Sequence, residues 1–199
     1  MTDFWSIENT LLRDGWSVVC GVDEAGRGPL AGPVYAAAVI LPRGLVIDGL
    51  DDSKKLSEST RERLFDELRE RAVSFGVASA DVAEIDALNI LNATFLAMNR
   101  AIARLTVTPE LALIDGNRAS GIDAPHMCVV GGDGRSANIA AASVLAKVSR
   151  DRYMKKLALQ YPEYGFDRHK GYPTEQHYEM LRRFGPSEVH RKLFLRNPH

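Results

Sequence analysis

The chain has 199 residues, 45% of them hydrophobic, and a formal net charge of −1. That length suits one globular domain, and the near-neutral charge argues against a general nucleic-acid binder held by charge alone. No apolar run nears the roughly 18 residues that a membrane span needs, and Met1-Thr2-Asp3-Phe4-Trp5 lacks the basic-then-apolar order of a signal peptide.

Residues 3–13 read as a short helix with Phe4, Ile7 and Leu11 on one face. Val18-Val19-Cys20-Gly21-Val22 then predicts a strand, which runs into adjacent carboxylates, Asp23 and Glu24, and the turn Gly26-Arg27-Gly28. Neighbouring strand residues point to opposite faces, so both acids serve one site only if the strand ends or bulges there. The glycines let a ligand approach the backbone closely. Residues 31–41 form a second apolar strand, whose small residues imply tight packing under another layer. A loop over 42–56 holds Asp51-Asp52-Ser53-Lys54-Lys55-Leu56. A helix begins near Ser57 or Ser59, where Ser59-x-x-Glu62 fits a capping box, with Leu64, Phe65 and Leu68 on its apolar face. Residues 73–80 alternate as a half-buried strand does.

Helical spacing returns over 86–105 with Leu88, Leu91, Phe95, Met98, Ile102 and Leu105, and Pro109 closes that segment. Leu111-Ala112-Leu113-Ile114 runs into Asp115-Gly116-Asn117, and Met127-Cys128-Val129-Val130 into Gly131-Gly132-Asp133-Gly134. A long helix follows over about 137–159. It opens on Ala140-Ala141-Ala142-Ser143, a face small enough to lie close on a sheet, and Tyr161-Pro162 stops it. Residues 163–174 are a loop containing His169-Lys170-Gly171-Tyr172, and a last helix covers about 174–184. Residues 150–199 carry 11 Lys/Arg against 6 Asp/Glu, and residues 1–149 carry 14 against 20. An acidic body with a basic C-terminal part suits a metal site on the first and backbone binding on the second. Cys20 and Cys128 lie in apolar runs and are expected as buried free thiols, which implies a reducing, cytoplasmic setting.

This order of elements predicts an α/β fold, a mixed sheet with helices on its faces. It reads as a single domain over 1–199, with residues about 160–199 as a helical C-terminal extension. Asp23, Glu24, Asp115 and Asp133 each stand where an apolar run gives out, with glycine close behind. In open α/β sheets, sites gather at the carboxyl ends of strands. Four acids brought together there repel one another unless cations neutralise them. Two-metal phosphoryl-transfer sites have this chemistry, with carboxylates holding cations about 4 Å apart. No cysteine or histidine pair has zinc-ligand spacing. Neither a Walker A pattern nor a Gly-x-Ser-x-Gly elbow is present.

One family carries the same residues in the same order. From about Val19 to Phe194 the chain resembles bacterial ribonuclease HII, a type 2 ribonuclease H. The resemblance rests on the run from Gly21 to Val34, on Asp52-Ser53-Lys54-Lys55-Leu56, on Asp115-Gly116-Asn117 and on Gly132-Asp133. It continues through the run from Ala141 to Asp151 and His169-Lys170-Gly171-Tyr172. It implies a ribonuclease H-like fold with a C-terminal helical extension. The implied activity is endonucleolytic cleavage, dependent on Mn²⁺ or Mg²⁺, of the RNA strand of RNA–DNA hybrids and of duplex DNA with even a single embedded ribonucleotide. The cut would fall 5′ to the ribonucleotide and leave 5′-phosphate and 3′-hydroxyl ends. By the same resemblance Asp23, Glu24 and Asp115 are the principal metal ligands and Asp133 the fourth acid. Gly26, Arg27 and Gly28 read the ribose 2′-hydroxyl, and Tyr172 stacks on the following sugar. Lys54 and Lys55 then read as phosphate contacts, although taken alone they suit a solvated turn. No membrane partner is expected, and the protein is expected to act as a monomer.

The pattern departs from the family at two places: Gly131 stands where Lys is usual, and Leu193 where Ser is usual. Only about 18 residues precede the first strand, which favours the HII type over HIII and its extra N-terminal domain. Asp151 is the rival for the fourth acid. It falls mid-helix beside Arg150 and Arg152, where an ion pair is the commoner fate. Lys147 reads as a snorkelling helix residue, and His169 either as a proton or phosphate handler or as a surface histidine. The tail from Leu195 to His199 offers no aromatic pair of the kind that binds sliding clamps. Two other readings stay open at this level. A non-catalytic binder of the same fold would lack a principal acid. A different two-metal nuclease would not need the Gly26–Gly28 turn or Tyr172.

Overall fold

The computed structural model describes residues 4–195, so the Met1–Asp3 end of the chain and the last four residues of the basic tail lie outside the described residues. In chain order the elements are α1 (Ser6–Arg13), β1 (Val19–Ala25), β2 (Val34–Ile40), α2 (Glu58–Arg71), β3 (Ser74–Ala80), α3 (Val82–Leu88) and α4 (Ile90–Ala103). Then come β4 (Leu111–Asp115), β5 (His126–Val129), α5 (Ala137–Gln160), α6 (Phe166–His169), α7 (Glu175–Phe184) and α8 (Lys192–Leu195). The strands form one mixed sheet in the order β3-β2-β1-β4-β5. β1 to β3 are antiparallel neighbours, and β4 and β5 run parallel to β1. The parallel pairing puts the carboxyl ends of β1 and β4 side by side.

Helices cover both faces, which is why β2 reads as an unbroken apolar run. Val34, Ala36 and Ala38 of β2 pack with Phe95, Ala97 and Met98 of α4. Ala37 and Val39 face the other way, onto Leu64 and Leu68 of α2 and Ala141, Val144 and Leu145 of α5. Each fully buried leucine of that layer contributes about 2 kcal/mol. The α5 N-terminus lies so close to β1 that a Cβ on Gly21 would fall 2.2 Å from the Asn138 carbonyl carbon. Only a glycine permits that approach.

The structure corrects several details. β1 continues through both carboxylates to Ala25, in unbroken register with β2, instead of ending or bulging at the pair. Of the two expected starts of α2 the cap is Ser57, whose Oγ accepts from the Thr60 N–H at 3.1 Å, so Ser59-x-x-Glu62 is not the capping box. The helix expected over 86–105 is two helices. Asn89 takes a φ of 67° between them and its side chain caps α4 through the Leu91 and Asn92 N–H groups. That local side-chain capping competes with helix continuation, and helical periodicity alone does not reveal it. The expected loop 163–174 contains a 3₁₀ turn, Pro162–Tyr164, and the short α6. Cys20 is buried but Cys128 is exposed, because β5 is an edge strand with only Val129 buried.

Candidate active site

Alternation along β1 decides where its acids go. Gly21 meets the α5 backbone, and Asp23, two residues on, faces the same layer and hydrogen-bonds with the Ser143 side chain. Glu24 faces the α4 side, lining a hollow with Leu91, Thr94, Phe95 and Met98. Asp115 ends β4 beside them, and its Oδ1 accepts from the Gly132 N–H at 2.7 Å. That bond folds the Gly132–Gly134 turn back over the sheet and carries Asp133 inward. Asp23, Asp115 and Asp133 each bring one carboxylate oxygen into a cluster whose members all lie within 4.8 Å of one another. The Glu24 carboxylate is not in that cluster. It stands at the wall between the two hollows of the cleft and pairs with Arg27 at 3.3 Å.

The electrostatics of the cluster favour a cation. Burial, then the charges of Glu24 and Asp115, hold the Asp23 carboxyl well above the usual carboxylate range, against the Glu24 N–H and Ser143 bonds. Burial also raises Asp115, with the Asp133 charge adding to it and the Gly132 N–H opposing. Burial raises Glu24, and Arg27 offsets part of this. Three close, mostly buried carboxylate oxygens are a hard donor set. They fit an oxygen-seeking divalent cation far better than a soft metal.

Around the cluster, the Lys54 ammonium lies 3.2 Å from Asp133 Oδ2. Burial works against its charge, but the Asp133 bond and the nearby Asp133, Asp23 and Asp52 charges raise its pKa overall. Lys55 turns away and meets Asp51 at 3.2 Å. Ser53 reaches under the cleft to share a 2.7 Å hydrogen bond with Ser143. Gly26, Arg27, Gly28, Lys147 and Tyr172 complete the cleft wall. The half-exposed Tyr172 ring lies 6.0 Å from the Lys147 ammonium and 5.8 Å from the Arg150 guanidinium. Asp151 stands apart from the cluster, held by Lys147 at 2.8 Å and Arg61 at 3.9 Å.

Of the groups behind this wall, sequence reasoning singled out His169 alone for a role, as a proton or phosphate handler or a surface histidine. Arg150 and Arg191 are fully buried, and three histidines line up beneath the Tyr172 segment, with His169 stacked on His177 at 4.5 Å and the His190 ring tilted against His177 at 5.2 Å. In the sequence Arg150 and Arg191 registered as charge in a basic C-terminal part, and neither His177 nor His190 drew a role. Nothing in their spacing marks them as buried.

Comparisons with known proteins point to one family. The family model for ribonuclease HII matches residues 20–197. The chain is 60% identical to the ribonuclease HII of Dechloromonas aromatica over 89% of this chain and 90% of that one. It is 48% identical to the ribonuclease HII of Caldicellulosiruptor saccharolyticus over 98% of this chain and 95% of that one. Among solved structures, the ribonuclease H2 of Pyrococcus horikoshii superposes with a TM-score of 0.73 at 27% identity, covering 89% of this chain and 93% of that one.

Proposed function

Because the chain belongs to the ribonuclease HII family, a family of metal-dependent endoribonucleases acting on RNA–DNA hybrids, we propose that it also cuts duplex DNA at a single embedded ribonucleotide. The cut falls on the 5′ side of that nucleotide and leaves a 5′-phosphate and a 3′-hydroxyl. The observation that carries the reading is the oxygen cluster of Asp23, Asp115 and Asp133 at the carboxyl ends of β1 and β4, beside a cleft lined by Gly26, Arg27, Gly28 and Tyr172.

In this reading Asp23, Glu24, Asp115 and Asp133 hold Mn²⁺ or Mg²⁺. Such cations, when bound, supply an activated water and Lewis-acid stabilisation of the phosphoryl oxygens. Glu24 faces the second hollow, so it serves the side of the site away from α5. Lys54 and Lys55 meet phosphates of the backbone, Lys54 from its place beside Asp133. The exposed Lys55–Asp51 pair is weak enough to exchange for a phosphate. The Gly26–Gly28 turn reads the 2′-hydroxyl through its backbone, the group that separates RNA from DNA at one nucleotide. The Tyr172 ring stacks on the next sugar, where a second 2′-hydroxyl would intrude.

No helix among the described residues is long and apolar enough to cross a membrane. We place the protein in the cytoplasm, where its two free cysteines stay reduced, and infer that it acts as a monomer. The direct test is to cut a duplex with one internal ribonucleotide and examine the ends. A 3′ end that a DNA polymerase extends without prior phosphatase treatment supports the assignment. A 3′-phosphate or cyclic phosphate contradicts it.

A further inference from the structure

The Gly26–Pro33 segment is held from beneath by two buried guanidiniums. Arg191 donates from Nη2 to the Gly26 carbonyl at 2.6 Å, from Nη1 to the Arg27 carbonyl at 2.9 Å and from Nε to the Gly32 carbonyl at 2.8 Å. Arg150 donates to the carbonyls of Ala31, Pro33 and Lys170 at 3.0–3.1 Å. Neither forms an ion pair among the described residues. Burial lowers both pKa values, that of Arg191 to about 9, with the Arg150 charge adding to the effect. Two like charges taken out of water without a carboxylate are costly. A purely structural clamp does not need them. What they share is a target: five of the six carbonyls belong to the turn and its continuation, and the sixth belongs to the residue two before Tyr172.

The consequence follows from peptide geometry. In a trans peptide the C=O of one residue and the N–H of the next point in opposite directions. With the Gly26 and Arg27 carbonyls turned onto Arg191, the Arg27 and Gly28 N–H groups point away from it, on the exposed side of the turn. Those two N–H groups have no acceptor among the described residues. Gly26 sits at a φ of +96°, so close to Arg150 that a Cβ there would lie 1.9 Å from Nε. A guanidinium on a carbonyl also polarises the peptide and strengthens the opposite N–H as a donor.

We propose that Arg191, supported by Arg150, is a positioning residue for substrate discrimination: it aims and polarises the Arg27 and Gly28 N–H groups toward the substrate's 2′-hydroxyl. This rests on the reading of the Gly26–Gly28 turn as the ribose reader. Arg150 ties the same device to the Tyr172 segment through the Lys170 carbonyl, so the turn and the ring keep a fixed spacing.

The test compares binding of two duplexes that differ by one 2′-hydroxyl, using fluorescence anisotropy with Ca²⁺ in place of a catalytic cation. The proteins are wild type, Arg191→Lys, Arg191→Met and Arg150→Lys. A loss of folded fraction lowers the apparent affinity for both duplexes alike and leaves their ratio intact. The proposal expects the ratio to fall about tenfold in Arg191→Lys, the worth of one well-aimed hydrogen bond, and to vanish in Arg191→Met. Arg150→Lys should lose less. A soluble, folded Arg191→Lys protein that discriminates as well as wild type overturns the proposal. Equal binding of the two duplexes by wild type itself instead overturns the reading of the turn on which it stands.

Discussion

The Nε2 atoms of His177 and His190 lie 3.0 Å apart in the buried layer beneath Tyr172. The surrounding bonds fix who donates. His190 Nδ1 accepts from the Ser187 N–H at 3.0 Å, so its proton is on Nε2 and points at His177. His177 then carries its own proton on Nδ1, which donates to the Tyr172 carbonyl at 2.9 Å. The chain of bonds is complete only with both rings neutral, and protonating either sets one N–H against another.

A pH dependence follows. Burial, then the neighbouring His177, depresses the folded pKa of His190 from 6.5 to about 4. Burial lowers His177 as well, with His169 adding to it. Between those pH values the unfolded chain binds more protons than the folded one, so stability rises with pH. The contribution is fully present above about pH 6.5 and is lost as pH falls toward 4, at most ~3 kcal/mol for His190. Urea unfolding at pH 7.5 and pH 5 should show the loss. His190→Gln should reduce the difference, and an unchanged difference in that variant would rule out the histidines as its source.

The acids of the cluster act with the opposite sign. The folded-state carboxyls of Asp23 and Asp115 are raised by burial and like charge, so the metal-free protein binds more protons folded than unfolded. Its stability from this source is present at low pH and lost as pH rises through the raised values. Asp23→Asn should therefore leave the metal-free protein as stable as wild type or more so at pH 7.5. The same change should cut cleavage by roughly a thousandfold or more, about 4 kcal/mol of barrier. Near-normal activity with either cation would remove Asp23 from the ligand set. Asp151→Asn should instead cost stability through Lys147 and Arg61, and a greater loss of cleavage there than in Asp133→Asn would reverse the choice of fourth acid.

The two lysines of the Asp52–Leu56 segment separate in a salt titration. Each phosphate contact contributes a slope of about 0.9 in log affinity against log salt on B-form duplex. Lys54, beside Asp133, should lower the slope by nearly that amount when replaced by Ala. Lys55, shared with Asp51, should lower it less. Equal slopes for Lys54→Ala and wild type would take Lys54 out of the phosphate path.

Tyr172 is half-exposed on the cleft wall, with two cationic groups near its ring. Tyr172→Ala should lower cleavage at a single embedded ribonucleotide about tenfold or more, within the range of one stacking contact. Tyr172→Phe should keep most of the activity. Equal losses in both would shift the role from the ring to the hydroxyl.

Much of the sheet and the strand-end place of Asp115 were legible because they obey local rules. Apolar runs of strand length end at Asp115 and Val129, and α5 announces its sheet-facing side through Ala140-Ala141-Ala142. Asp23 and Glu24 show where such rules stop. Alternation sends them to opposite faces, and only the register of β1 against β4 shows which one joins Asp115. Lys54 and Lys55 were indistinguishable as neighbours, and the fold directs one onto Asp133 and the other onto Asp51. Arg150, Arg191, His177 and His190 were illegible for a deeper reason. Their burial is a tertiary fact. The C-terminal segment returns across 159 residues to the Gly26–Pro33 segment, where Arg191 meets the Gly32 carbonyl and Ala31 bridges His190.

The most direct test of the whole account uses two duplexes identical except for one 2′-hydroxyl, incubated with the wild-type protein in Mn²⁺ or Mg²⁺ and again with EDTA. The account predicts a single cut, 5′ to the ribonucleotide, in the first duplex with metal, and no cut in the all-DNA duplex or with EDTA. Equal cutting of the all-DNA strand, or cutting that survives EDTA, would contradict it.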